Sequence, residues 1–449
     1  MRFTLPELLL PALLVVSIAG APASGCGTSA TAVAFEHASV ITMLDSLVHR
    51  DYTVVADNGL ISSIGPAASA CIPGKARRID ARGMFVIPGL ADMHVHMDEG
   101  DTTLYVANGI TTVREMNGTA ELLRLRGLIQ NGKTGGPTMY VTGPLLAGVK
   151  QRWRHVLVET PDSATAVVRS EARQGYDAVK IYDGLSLPTY RAIVAEAARN
   201  GLDVVGHIPR DAGLDSVLAA KQRSLEHLDQ IISAATRGSH DSNDSVAVAE
   251  TARKIARAGS WVTPTIAAEY ALNILGTTGY SRRLERPEMQ FQDSGTFAWW
   301  KSLAAPREGA QLSDEEFRSA QSQQYFGLKM QLVRELNRAG VKMLAGTDTP
   351  NPLMVPGFSL SEELLTLNRA GLSRYRVLRM ATKDAAEFTG GNFGVIAPRA
   401  RADLLLLSAN PLVDLNALRS PGGVMVRGRW LDRNALDAML SARKSATAR

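Results

Sequence analysis

Four histidines, a lysine and an aspartate stand at the ends of short apolar runs. They are His94 and His96 in GLADMHVHM, Lys180 in YDAVKIYDG, His207 in LDVVGHIP, His227 in SLEHLD and Asp348 in KMLAGTDTP. Imidazoles and carboxylates are ligands for divalent cations. His94 and His96 are two positions apart, and on a strand that spacing turns both rings to one face. His207 and His227 are separated by the length of one short strand–helix unit, so they belong to neighbouring strands and can both point inward. Taken singly, each of these two has a plainer reading as a buried histidine bonded to a neighbour.

Lys180 lies between the apolar Val179 and Ile181. Lysine is almost never fully buried without compensation, and burial favours the neutral amine. A neutral amine can add carbon dioxide, and the resulting carbamate mimics a carboxylate that can bridge two cations. The plainer reading is an ion pair with Asp177 or Asp183. Asp348 closes the set, and the small residues of AGTD let its carboxylate approach.

These side chains need a frame that brings them together. Strand candidates fall at 91–97, 109–116, 138–146, 178–182, 203–208, 224–229, 261–266 and 342–348. Between several of them run helices with clear punctuation. Thr160-Pro161 is a cap followed by proline at the first helical position. Gly175, Gly201, Gly259 and Gly340 are stops, each followed at once by a β-rich run. Strand, helix, glycine, strand is the unit of a parallel α/β fold. Eight units predict a closed (β/α)8 TIM barrel, whose catalytic groups come from the C-terminal strand ends. Both chain ends read as short strands, with a hairpin signal at Asn58-Gly59. The expected domains are a signal peptide over 1–25, a small β-sandwich built from 26–88 and 391–449, and a metal-dependent barrel over 89–390. The connection 267–327, with Trp299, Trp300 and Tyr325, is too long for a simple loop. It is expected to be a lid or binding loop, or else a disordered surface excursion.

The 449 residues are 45% hydrophobic and 21% charged, ordinary for a globular chain. The net charge of +5 is spread along the chain, which argues against a nucleic-acid or membrane-surface partner. Arg2, the apolar stretch from Leu8 to Ala19 and the small residues after it read as a secretory signal, too short to span a bilayer. A secreted or periplasmic protein with no transmembrane segment is expected. In an oxidising compartment Cys26 and Cys71 can pair. Alternatively, Ala23-Ser24-Gly25-Cys26 is similar to a lipoprotein cleavage site, which would anchor the chain at Cys26, or both thiols are free. Neither cysteine has a partner at metal-ligand spacing.

The motifs PGLADMHVHM, ANGITTVREMNG, YDAVKIYDG, VVGHIP, SLEHLD, LAGTDTPNP, PGFSLSEELLTLNRAGLS, ATKDAAEFTG and ADLLLLSANPLVD together resemble the amidohydrolase superfamily over residues 30–440. The chain is most similar to exported members related to Xaa-Pro dipeptidases and imidazolonepropionases. Imidazolonepropionases lack the bridging lysine, so Lys180 points to the binuclear, peptidase-like side. The resemblance implies two divalent metal ions, zinc by default. His94, His96 and Asp348 would hold the more buried ion and His207 and His227 the more exposed one, with carboxylated Lys180 and a hydroxide between them. It implies hydrolysis of a small-molecule amide or peptide (a dipeptide, Xaa-Pro or N-acyl amino acid) with Asp348 as general acid and base.

Tyr182, two residues beyond Lys180, and Arg152, Arg154 and His155 after the third strand are candidate substrate contacts. For each, a solvated loop position is the plainer reading. A lactonase or phosphotriesterase could use the same ions. A mononuclear deaminase would need a glutamate soon after the third histidine, where Ile208-Pro209-Arg210 stands. A binding protein without turnover is disfavoured by the complete set of six. Self-association into a homo-oligomer is compatible with the sequence.

Overall fold

A computed structural model of the chain describes residues 26–236, 245–305 and 320–447. The segment read as an export signal lies outside them, as does the side chain of Tyr325. The fold is mixed α/β. Leu90–Val95, Ile110–Glu115 and Thr138–Val141 pair in parallel. Leu146–Ala147, Ala178–Ile181, Asp203–Gly206, Ser224–Glu226 and Trp261–Thr263 form a second parallel series. Single parallel bridges link Thr142 to Ala178, Val262 to Met343 and Thr349 to Val95. The parallel pairings can therefore be followed from strand to strand until they return to the first.

Local chemistry explains the punctuation. Thr160 caps Pro161–Gln174 by accepting from Ser163 N at 3.2 Å, and Gly175 ends the helix at φ 83°. A left-handed end is open to glycine without a Cβ penalty.

Two expectations are corrected. The window 342–348 is not a regular strand. Its amides reach three different neighbours: Leu344 N bonds Val262 O, Ala345 N bonds Met380 O and Asp348 N bonds His94 O. Asp348 itself turns the chain at φ 55°. The window 138–146 is split, because Gly143 N bonds Ala178 O and Leu145 N bonds the Asn117 side chain instead of a continuous ladder.

The two chain ends join in one eight-stranded sheet, in which Leu404–Leu407 lies between Phe85–Pro88 and Gly423–Val426. Strand alternation sorts its faces. Leu404 and Leu406 join Phe35, Val54 and Met425 in one apolar core, while Leu405 and Leu407 join the core of the parallel part. Asn58 and Gly59 take φ 49° and 82° in the hairpin between His49–Asp57 and Leu60–Pro66. Cys26 and Cys71 are joined in a disulfide, so of the three states open to these thiols the structure has the paired one. The last helix, Arg433–Thr447, packs on Thr102–Ala107, with Arg443 Nη2 3.0 Å from Asp101.

The described part of the long connection is built, not a loose excursion. It carries helices Ile266–Asn273, Thr278–Arg283 and Ser294–Ser302, and the chain returns along Ala320–Arg338. Tyr280 and Trp300 are buried, and the Tyr280 hydroxyl donates to Trp300 O at 2.9 Å. They share a core with Leu353, Met354 and Val355, the residues that follow Asp348. No helix among the described residues is long and apolar enough to cross a membrane.

Candidate metal centre

The six residues singled out by chemistry come together at the C-terminal ends of the parallel strands. His94 and His96 end Leu90–Val95, with ring centroids 5.3 Å apart. His227 lies 4.8 Å from His94 and 4.9 Å from His207, centroid to centroid. Asp348 Oδ1 is 3.3 Å from His94 Nε2 and 3.1 Å from His96 Nε2, and Oδ2 is 3.9 Å from His227 Nδ1. Nitrogens of His94 and His96 and a carboxylate oxygen of Asp348 all lie within 4.8 Å of one another, close enough to share one ion.

Electrostatics favour the ligand forms. Burial pushes His94 down to about 4, and lowers His207 and His227 as well, so the imidazoles are neutral. Burial opposes ionisation of Asp348, but the imidazoles of His227, His94 and His96 outweigh it and hold the carboxyl well below the usual range.

Lys180 is 1% exposed on Ala178–Ile181, and its Nζ has no hydrogen-bond partner among the described residues. Burial lowers the amine to about 8, against the pull of Glu226 and Asp348. His94 Nε2 and His96 Nδ1 are likewise buried without a hydrogen bond. The unbonded His94 Nε2 and Lys180 Nζ near an ionised carboxylate fit a cation-binding role, because an unpaired buried polar group is otherwise costly.

Decisive support for the family comes from the chain as a whole. The model of the amidohydrolase family matches residues 85–431. The chain belongs to the amidohydrolase family. It is 42% identical over 50 residues to an imidazolonepropionase of Salinispora tropica, a match covering 11% of this chain and 12% of that protein. Among solved structures, bottromycin amidohydrolase superposes with TM-score 0.75 and 26% identity over 93% of this chain and 91% of its own. A putative prolidase from Bifidobacterium longum superposes with TM-score 0.67 and 24% identity over 92% and 98%, a likeness of fold.

The candidate substrate contacts of this amidohydrolase divide. The Tyr182 ring lies tilted against His207, centroids 4.1 Å apart, and burial raises its hydroxyl to about 12. Arg154 lines a cavity of about 410 Å3 together with His96, Glu115, Asn117 and Glu121, while donating to the carbonyls of Asn117 and Gly118. Arg152 is not among the residues that line this cavity. Its guanidinium sits over Trp153 and Trp299, about 5 Å from each ring. His155 is held within its own loop, Nδ1 2.7 Å from Trp153 O.

Sequence reasoning missed a buried network behind the histidines. Glu226 Oε2 is 2.9 Å from His94 Nδ1. Arg114 Nη2 donates to both Glu226 oxygens at 2.9 and 3.0 Å, and Ser224 Oγ also donates to this carboxylate. Burial disfavours the charge, but Arg114 and His94 hold Glu226 well below its ordinary range. An ionised carboxylate only accepts, so the His94 proton sits on Nδ1 and Nε2 keeps its lone pair for an ion. Glu226 and His227 are adjacent yet both face the site. Strand alternation forbids that, and the chain manages it because His227 takes φ 67°. The available signals were charges inside apolar runs, Glu226 in SLEHL and Arg114 in TTVREM.

Proposed function

We propose that this amidohydrolase cleaves amide or peptide bonds of small substrates of the dipeptide, Xaa-Pro or N-acyl amino acid type. The observation that carries the reading is the clustering of His94, His96, Lys180, His207, His227 and Asp348, with the buried nitrogens His94 Nε2 and Lys180 Nζ left unbonded. The circuit of parallel pairings is read as a (β/α)8 barrel over 89–390. The shared sheet of 26–88 and 391–449 is read as a β-sandwich beside it.

His94, His96 and Asp348 would hold one divalent ion and His207 and His227 a second, with Lys180 as a carbamate between them. Zinc suits an imidazole-rich set. Bound ions would supply Lewis acidity and bring the pKa of a water toward neutrality. The chain's own groups do the rest. Asp348, ionised, accepts a proton at a carboxylate oxygen and returns it to the leaving nitrogen. Tyr182, protonated throughout the physiological range, donates a hydrogen bond to the substrate oxygen. Arg154 presents its charge to a substrate carboxylate in the cavity it shares with His96. Amide chemistry is also what the name bottromycin amidohydrolase states. Export is read from the N-terminal segment and is consistent with the Cys26–Cys71 pair.

The test is metal quantification followed by a substrate panel of free dipeptides, Xaa-Pro dipeptides, N-acyl amino acids, lactones and a phosphotriester. Two bound ions, turnover of the amides and a carbamate carbon detected after carbon-13 bicarbonate labelling are expected. Turnover of lactones or phosphotriesters alone would replace the amide reading, and an unmodified Lys180 in active enzyme would remove the bridge.

A further inference from the structure

A second buried charge cluster stands beside the histidines. Lys329, 1% exposed, is carried by the return helix Ala320–Arg338. Its Nζ lies 2.6 Å from Asp229 Oδ1 and 2.9 Å from Glu269 Oε2. Glu269 is on Ile266–Asn273, the first helix of the long connection. Its other oxygen accepts from Leu228 N at 2.7 Å and Asp229 N at 3.3 Å. The helices that open and close the connection therefore meet at one carboxylate, and that carboxylate grips the two residues after His227.

His227 needs gripping. It holds a left-handed φ of 67°, a conformation that costs a side-chain-bearing residue on the order of 1 kcal/mol and persists only where its surroundings enforce it. Its Nδ1 is 2.7 Å from the hydroxyl of Thr265, the residue before the Glu269 helix. One residue past Asp229, Gln230 Oε1 accepts from Ile208 N at 2.6 Å and Gln230 Nε2 lies 3.1 Å from His207 Nδ1. The turn 226–230 thus contacts three of the four histidines or contains them.

We propose that Lys329 is a positioning residue for the His207–His227 half of the site. Through Glu269 and Asp229 it fixes the turn that aims both rings, which makes the helices flanking the long connection part of the site's framework. An apolar residue there would leave Glu269 buried and unpaired, the costly way to break such a cluster. The metal reading enters only one of the two readouts below.

The experiment compares full-length Lys329→Met and Lys329→Arg with the parent by peptide-resolved hydrogen exchange without metal, and by zinc content after loading. In Lys329→Met, exchange over 226–235 should rise about tenfold or more, with 110–115 and 178–181 unchanged. Bound zinc should fall from about two ions toward one, and Lys329→Arg should restore most of the protection. Unchanged exchange over 226–235, or equal loosening of the parallel strands, would overturn the proposal. If Lys329→Met does not fold, Asp229→Asn removes one arm at a half-exposed position and should speed exchange in the same segment by a smaller factor. No change there overturns it equally. A parent that binds no zinc but shows the exchange effect would sink the metal reading and leave this inference standing.

Discussion

Asp348 and Glu226 are both buried carboxylates beside His94, yet the geometry gives them different work. Asp348 faces the open nitrogens, and Glu226 holds the nitrogen that faces away. Asp348→Asn should keep most of the bound metal while lowering kcat on the order of 10²- to 10⁴-fold. Glu226→Gln should do the reverse. It weakens the hold on the His94 tautomer and should loosen metal about 10- to 100-fold, with a smaller change in kcat once the ions are saturating. Metal titration and saturation kinetics on the two variants separate these roles. Near-normal turnover in Asp348→Asn would remove its acid–base assignment.

Strand ends and the helices packed outside them set where those side chains stand. Three residues at or near the site, His227, Thr265 and Asp348, take left-handed backbone. Helix packing also leaves an unexpected group outside the site. Glu171 of Pro161–Gln174 is buried against Gly143, where any Cβ would meet its carboxyl group. Its oxygens have no hydrogen-bond partner among the described residues, and burial raises it to about 8. An unfolded chain releases this proton near the ordinary glutamate value, so between about pH 4.5 and pH 8 the folded state binds more protons. Stability should therefore fall as pH rises through that window, by at most on the order of 4 kcal/mol. Glu171→Gln should flatten the slope, and urea denaturation at about pH 5 and about pH 8.5 would show it. Parallel slopes in parent and variant would mean that Glu171 is ionised when folded.

Across the molecule, the two chain ends meet in one sheet, and within the N-terminal part Cys26–Cys71 closes a loop with a sequence separation of 45. A bridge over such a loop restricts the unfolded chain by about 4 kcal/mol. Cys26→Ser should lower the unfolding midpoint in proportion while leaving metal content intact, because the pair joins irregular segments of the N-terminal part that hold none of the six candidate ligands. Loss of metal in that variant would mean that the end sheet supports the site directly. The described part of the long connection has the opposite character. Its core is shared with residues 353–355 and its charge cluster with residue 229, so it braces the site from two sides.

Residue type and spacing alone pointed to the six candidate ligands. Metal-binding side chains at the ends of apolar runs are a local signal, and glycine stops and capped helices mark the alternation that places them. Family likeness was legible for the same reason, since it rides on those short motifs. The third dimension decided what depends on partners far apart in the chain. Arg114 finds Glu226 across 112 residues, and Lys329 finds Asp229 across 100. No pattern in one segment encodes a charge neutralised by another. The eighth strand failed for a related reason: residues 342–349 divide their hydrogen bonds among three neighbours, which hydrophobic periodicity cannot register. Arg152 lies in a segment whose residue types suit substrate binding, and the approach of Trp299 from a distant helix is a contact that no local pattern encodes.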